Sequence, residues 1–269
     1  MKGIASRFLD RLDRTGYGNV QIWDFSFRSL TREYAWLFFL KAVASHPVRT
    51  ARGLRRYRRF VRARLDRAAD YPRVVFISEE AAYIQKVRTP GAARPLLGLG
   101  FCLKPIDSEN ALGSCPSGRA NHDCVYLERG EAPPACADCA ILEIGRFALG
   151  KGCPVYIMTS AKDIARDFMF PQMRSGLFPS AILLLCPFSV QAIIPPLLIC
   201  GVDTLLISYA GGSCADYKQW LEADEGIKKE RTTLDPEARK KIEAVLGQIG
   251  GGPPCRRQFR REGNVFFPE

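Results

Sequence analysis

The chain has 269 residues, of which 47% are hydrophobic, and carries a formal net charge of +11 at pH 7. A chain of this length and apolar content can bury a substantial core, which excludes a disordered protein. No stretch reaches the roughly 20 apolar residues that a membrane-spanning helix needs. The first residues are dense in charge and lack the features of a secretory signal, so we expect a cytoplasmic protein.

Most of the excess positive charge lies in one N-terminal segment. Nine arginines fall between Arg49 and Arg67. Apolar residues recur there every three or four positions, which predicts an amphipathic helix: Leu54, Tyr57, Val61, Leu65 and Ala68. One interpretation is a helix packed by its apolar stripe, with a solvated basic face. The alternatives are contact with an anionic membrane surface or with an acidic partner protein. Nucleic acid is disfavoured because no nucleic-acid-binding motif accompanies the arginines.

Three regions are predicted along the chain. Residues 1–70 are expected to be helical and basic, residues 71–250 to form an α/β domain, and residues 251–269 to be an extended basic tail. After Cys139, apolar strands alternate with helices three times, which indicates a largely parallel, Rossmann-like sheet. In such sheets the functional crevice lies beyond the carboxyl ends of the strands.

A cysteine-rich segment, residues 102–139, shows no sustained periodicity between Lys104 and Ala135. Four of its cysteines follow the pattern C-P-x7-C-x11-C-A-D-C and are called here the cysteine tetrad: Cys115, Cys124, Cys136 and Cys139. A long irregular segment within a compact domain needs something to pin it, and a bound metal would do so. Thiolates are soft ligands suited to iron–sulfur or zinc centres. In a reducing compartment, metal ligation is also favoured over disulfides.

The spacing does not choose the metal, because it matches neither a zinc finger nor a ferredoxin run. The dipeptide Cys115-Pro116 favours an iron–sulfur centre, since proline often follows a cluster cysteine. Zinc stays open as the alternative. His122, between the first two cysteines, is a further candidate ligand, although a solvent-facing loop histidine is the simpler interpretation.

Cys186 and Cys214 form a second set at the predicted sheet edge. Cys186 ends one apolar strand, and Cys214 follows the next strand after Gly211-Gly212-Ser213. We expect them to be additional ligands, a separate site or redox thiols, with a packing role open for Cys186. The glycine loop would favour the Cys214 thiolate and is also a weak candidate anion site. The other four cysteines are predicted to pack in the core or, for the last, to lie in an exposed tail: Cys102, Cys153, Cys200 and Cys255.

These motifs resemble a family of uncharacterised cysteine-rich proteins of anaerobic bacteria and archaea that is defined only as a domain of unknown function. The shared pattern is Cys115-Pro116, Cys124 and the Cys136–Cys139 pair running into Ile144-Gly145, followed by Cys186 and Cys214. The resemblance covers about residues 115–220, and the gap between Cys124 and Cys136 is longer than is usual in that family. It implies an iron–sulfur centre and no established reaction.

Two main hypotheses follow. The first is an iron–sulfur protein with a redox or electron-transfer role and an unidentified redox partner, in which the tetrad holds a cluster, [4Fe–4S] being favoured. The second is a zinc-stapled binding module that docks an anionic membrane or an acidic protein through Arg49–Arg67. A thiol-dependent enzyme acting on a small anion near Gly212–Cys214 is a weaker third.

Overall fold

A computed structural model describes residues 44–60, 73–106, 114–127, 131–215, 217–249 and 259–268. The helices are α1 (Pro47–Phe60), α2 (Glu80–Arg88), α3 (Ala140–Gly150), α4 (Ala161–Ile164), α5 (Phe170–Ser175), α6 (Pro187–Cys200), α7 (Tyr217–Asp224) and α8 (Pro236–Gly247). The strands are β1 (Val74–Phe76), β2 (Leu96–Gly100), β3 (Val155–Met158), β4 (Ser180–Leu185), β5 (Asp203–Ser208), β6 (Phe259–Glu262) and β7 (Val265–Pro268). The rest of the predicted 1–70 helical region, and Cys255, lie outside the described residues.

One mixed sheet forms the centre of the described part of the chain. Its seven strands have the order β1-β5-β4-β2-β3-β7-β6. The central four are parallel, whereas β1, β7 and β6 pair antiparallel at the edges. Every residue of β4 is buried, as expected for a strand covered on both faces. The α/β prediction is therefore confirmed, with a sheet that is parallel in its centre and mixed overall. The Rossmann-like description stays a prediction.

Part of the predicted extended tail is a β-hairpin. Strands β6 and β7 pair with each other, and β7 continues the sheet by pairing with β3. Gly263, with φ +59°, provides the left-handed turn between them. Val265 and Phe266 are buried on β7 and attach the hairpin to the core. The basic residues of β6 are exposed. The sequence predicted the basic character of this tail but not the pairing of its strands.

Helices cover both faces of the sheet. Helices α2, α3, α7 and α8 pack on one face, which is called the cysteine face because it also buries most of the tetrad. Helices α1, α5 and α6 pack on the opposite face, called the α1 face. The sheet residues alternate between the two cores, as the two-residue period of a strand requires.

The arginine-rich helix α1 packs against α6. Thr50, Tyr57 and Phe60 are buried on its packed side. Gly53 allows the close approach, because a Cβ there would lie 2.7 Å from the Cα of Ile199. Arginines occupy the exposed side of the helix: Arg52, Arg55, Arg56 and Arg59. Among the described residues, every helix is too short or too polar to cross a lipid bilayer.

Substitution of Gly53 by valine should destabilise the fold. The added side chain meets the backbone of Ile199 at 2.7 Å, and relieving such overpacking costs about 1–3 kcal/mol. Urea unfolding measures the loss. The control is Gly150→Ala on α3, where a Cβ meets nothing within 4 Å. Equal stability of the two variants would contradict the close packing of α1 on α6.

Candidate metal centre

The C-x2-C pair of the tetrad lies on a tight turn at the start of a helix. Cys136 ends a short 3-10 turn, Pro134–Cys136, and Cys139 is the N-cap of α3. The Cys139 N–H donates to the Cys136 carbonyl over 3.1 Å, which closes the turn. Both side chains are buried, with exposed fractions of 5% and 4%. The apolar residues of α3 fix this turn against the sheet.

The other two cysteines of the tetrad lie on the irregular loop that follows β2. The Cys115 N–H donates to the Pro105 carbonyl over 3.1 Å, and the Gly118 N–H donates to the Cys115 carbonyl over 2.9 Å. Cys124 begins a turn closed by the Leu127 N–H over 3.1 Å. Cys124 is buried and Cys115 is partly exposed. Backbone turns therefore hold both residues of this otherwise irregular loop.

A buried lysine fixes this loop. Lys104 is only 1% exposed, yet its ammonium donates to four oxygens: the carbonyls of Gly118, Asn121 and Asp123 at 2.8, 3.0 and 2.8 Å, and the Asn121 Oδ1 at 2.6 Å. Asn121 also donates to the Ser117 carbonyl over 2.7 Å. Because an ammonium has three donor hydrogens, these oxygens satisfy it fully. The loop between Cys115 and Cys124 is thus wrapped around one positive charge.

The four thiols of the tetrad lie close enough to influence one another. Burial raises the pKa of Cys124 to about 11, and the neighbouring Cys139 and Cys115 raise it further. Burial also raises the pKa of Cys136, as do Cys139 and Cys115. Cys115 acts in the same direction on the pKa of Cys139. A bound cation would stabilise the ionised forms of such neighbouring thiols.

Positive charges and backbone N–H groups surround these sulfurs. The pKa of Cys139 is raised by burial but lowered by the N–H groups of Leu142 and Ile141 and by Arg231. Arg231 is held by the carbonyls of Leu103, at 3.3 Å, and Asp138.

Two more cations lie beside the tetrad. Arg146 lowers the pKa of Cys136 and binds the Tyr126 carbonyl at 2.9 and 2.5 Å. The pKa of Lys104 is lowered by its burial and raised by Cys115, Cys124, Asp123 and Cys139. These cations partly offset the burial that raises the pKa values of Cys136 and Cys139.

The spacing of the sulfurs bears on the kind of centre. Among the described residues, no three cysteine sulfurs all lie within 4.8 Å of one another. A tetrahedral zinc site, with zinc–sulfur bonds of about 2.3 Å, would hold its sulfurs about 3.8 Å apart. A polynuclear cluster binds its thiolates further apart, at different metal atoms.

His122 lies apart from these thiol contacts, at the end of β3. Its Nδ1 is 2.7 Å from the Ile157 carbonyl, its Nε2 is 3.6 Å from Asp163, and its ring stacks on Tyr156. Ligand atoms of His122, Asp163 and Asp167 come within 4.8 Å of one another. Arg166, however, pairs with Asp163 at 2.8 Å and with Asp167 at 2.7 Å. Both carboxylates are consequently engaged by one arginine, and His122 is held against the end of β3 by its contacts with Ile157 and Tyr156.

The glycine loop after β5 serves the backbone. The Thr233 N–H donates to the Gly211 carbonyl over 3.0 Å, and the Ala210 N–H donates to the Thr233 carbonyl over 2.9 Å. Gly212 has φ +59°, and a Cβ there would lie 2.0 Å from the Arg231 carbonyl. Glycine is needed at this crossing, which explains the motif without an anion. The anion site proposed for Gly211, Gly212 and Ser213 stays a prediction.

Cys186 and Cys214 meet at the carboxyl edge of the sheet. Both are buried, and they act on each other by a hydrogen bond between their side chains. Cys102, which was predicted from the sequence to be a core packing residue, lies close to both of them. No sequence pattern marked Cys102 or Lys104, since both follow β2 in a segment without periodicity. Within the described residues, all cysteines are free thiols.

The site and fold define a cysteine-rich α/β protein with a candidate thiolate metal centre. Comparison with protein-family models, with curated proteins and with solved structures gave no significant match. The resemblance drawn from the cysteine pattern therefore stays a prediction.

Replacing Lys104 by methionine should unfold the loop that carries Cys115 and Cys124. The variant removes a buried charge and leaves its oxygen partners unsatisfied, so we expect a loss of at least about 3 kcal/mol in unfolding free energy. Urea unfolding, with mass-spectrometric labelling rates of the two thiols, measures both effects. The control is Lys240→Met, whose exposed ion pair with Glu237 should leave stability and labelling essentially unchanged, because exposed ion pairs contribute little. Unchanged stability and labelling in the Lys104 variant would contradict this role.

Proposed function

We propose that this protein is an iron–sulfur protein with a redox or electron-transfer role, in which the cysteine tetrad binds a [4Fe–4S] cluster. The observation that carries the proposal is that four thiols from two separate segments, three of them buried, lie close enough to interact electrostatically. Cys115, Cys124, Cys136 and Cys139 would be the ligands. A bound cluster would supply one-electron chemistry.

The surroundings of the tetrad support iron–sulfur over zinc. The Cys115-Pro116 dipeptide favours an iron–sulfur centre, since proline often follows a cluster cysteine. Lys104, Arg146 and Arg231 supply positive charge, and N–H groups of α3 act on the Cys139 sulfur. Hydrogen bonds to the sulfurs, net charge and burial are the factors that set cluster potentials. Doubly wound, Rossmann-like sheets bind ligands beyond the carboxyl ends of their strands, and we propose that this chain uses the same edge.

Anaerobic isolation of the full chain should yield a coloured protein with iron and acid-labile sulfide in equal amounts. Replacing Cys136 and Cys139 together by alanine should remove the cluster at the tetrad, which is about four iron and four sulfide per chain. Metal and sulfide assays with an absorption spectrum measure this. The control is Cys200→Ala, a buried thiol on the α1 face, which should retain full loading. A colourless protein with stoichiometric zinc at the tetrad would reject the proposal.

A second candidate function is a zinc-stapled module that docks an anionic surface through α1. The favouring observation is that the exposed side of α1 carries Arg52, Arg55, Arg56 and Arg59 while its other side is packed on α6. A basic helix face of this kind attracts anionic lipids by about 1 kcal/mol per arginine.

If α1 docks on membranes, the four arginines should control binding to vesicles of phosphatidylserine and phosphatidylcholine. Replacing all four by glutamine should reduce co-sedimentation by at least tenfold, and added salt should weaken wild-type binding. A charge-matched control replaces four exposed lysines on other elements: Lys162, Lys218, Lys229 and Lys240. Equal loss in both variants would indicate general charge attraction and would contradict specific docking by α1.

A further inference from the structure

The carboxyl edge of the sheet holds a second group of thiols, separate from the tetrad. Strands β2, β4 and β5 are adjacent and parallel, so their carboxyl ends lie side by side. Cys102 lies in the 3-10 turn Phe101–Leu103 directly after β2, Cys186 directly follows β4, and Cys214 lies in the loop after β5. Three neighbouring strands therefore each deliver one cysteine to the same edge.

Two of these side chains, those of Cys102 and Cys186, lie near one tyrosine. The Tyr209 hydroxyl accepts from the Gly100 N–H at 3.1 Å and donates to the Leu184 carbonyl at 2.7 Å, so it joins the ends of β2 and β4. Burial raises its pKa, and Cys102 and Cys186 raise it further. Cys186 also contacts Cys214 through their sulfurs. Each of the three thiols is therefore close enough to interact with the other two.

The surroundings of the Cys186 sulfur favour its thiolate form. The Cys186 sulfur is 3.3 Å from the Ser189 hydroxyl, which accepts from the Trp220 indole N–H at 2.8 Å. With its lone pair engaged, the Ser189 hydroxyl is oriented to donate to the sulfur. Cys186 is also the N-cap of α6, where the helix dipole favours negative charge.

Two cations lie beside the other sulfurs. The pKa of Cys102 is raised by burial to about 11 but lowered by Arg119 and Lys228. The hydrogen bond to Cys186 and burial raise the pKa of Cys214 well above its ordinary value, and Lys228 acts in the opposite direction. Arg119 is anchored on the carbonyls of Lys228 and, at 2.6 Å, Glu230. Positive charge therefore lies beside two of the three thiols, where it would partly offset the negative charge of bound thiolates.

We propose that Cys102, Cys186 and Cys214 are ligands of a second iron–sulfur cluster. The inference goes beyond the proposed function, which concerns the tetrad alone. A simple redox dithiol would need Cys186 and Cys214 but gives no role to the third thiol.

Counting iron and sulfide in anaerobically reconstituted full-length variants tests this site. Wild type should bind about eight iron and eight sulfide, and Cys102→Ala/Cys186→Ala/Cys214→Ala about four of each. The tetrad variant Cys136→Ala/Cys139→Ala should also bind about four. The control, Cys153→Ala/Cys200→Ala, replaces two buried thiols outside both groups and should bind as wild type. Circular dichroism confirms folding, and the single variant Cys214→Ser provides a milder test that should also lose the second cluster.

The outcomes separate the two proposals. About four iron in wild type, unchanged in the triple variant but lost with the tetrad, would overturn the second cluster and leave the proposed function standing. About four iron lost only in the triple variant would overturn the tetrad as the cluster site and support the second. Full-length protein that binds no iron would overturn both. Recovery of a Cys186–Cys214 disulfide with no second cluster would identify a redox pair and reject this inference.

Discussion

The buried ammonium of Lys104 is the interaction on which the candidate site depends. It lies just beyond β2, at the point where the chain leaves the sheet, and its hydrogen bonds converge on a loop with little regular structure. A charge in this position is costly unless every donor is satisfied. The loop satisfies it with carbonyl and amide oxygens and is shaped in doing so. Cys115 and Cys124 flank the wrapped residues, so the geometry of half the tetrad follows from this one cation.

The same charge links folding to chemistry. Lys104 holds the loop through backbone oxygens, while the charges of Cys115, Cys124 and Cys139 favour its protonated form. A single residue therefore both positions the thiols and offsets their negative charge. Arg119 connects the two groups of thiols in a similar way, because it belongs to the loop of the tetrad yet lies beside Cys102 and binds the carbonyls of Lys228 and Glu230. A metal bound by one group of thiols would thus change the electrostatic potential at the other group.

Local patterns predicted more of the centre of the fold than of its edges. The runs that became β4 and β5 were recognisable because strands buried on both faces are continuously apolar, and the C-x2-C turn was visible from spacing alone. The pairing of β7 with β3 was not, since a four-residue strand of ordinary residues gives no signal of its partner. Cys102 and Lys104 were missed for the same reason: their roles arise from long-range contacts with Cys214 and with residues 118–123. Spacing reveals ligands close in sequence and hides those that the topology brings together.

The two candidate functions do not compete for the same surface. The tetrad and the second thiol group belong to the core of the cysteine face, whereas α1 packs on α6 on the opposite face. Strands β2, β4 and β5 separate the thiols from α1, and both faces of these strands are covered. A cluster on one side leaves the arginines on the other side exposed, and contact of α1 with an anionic surface would not cover the thiols.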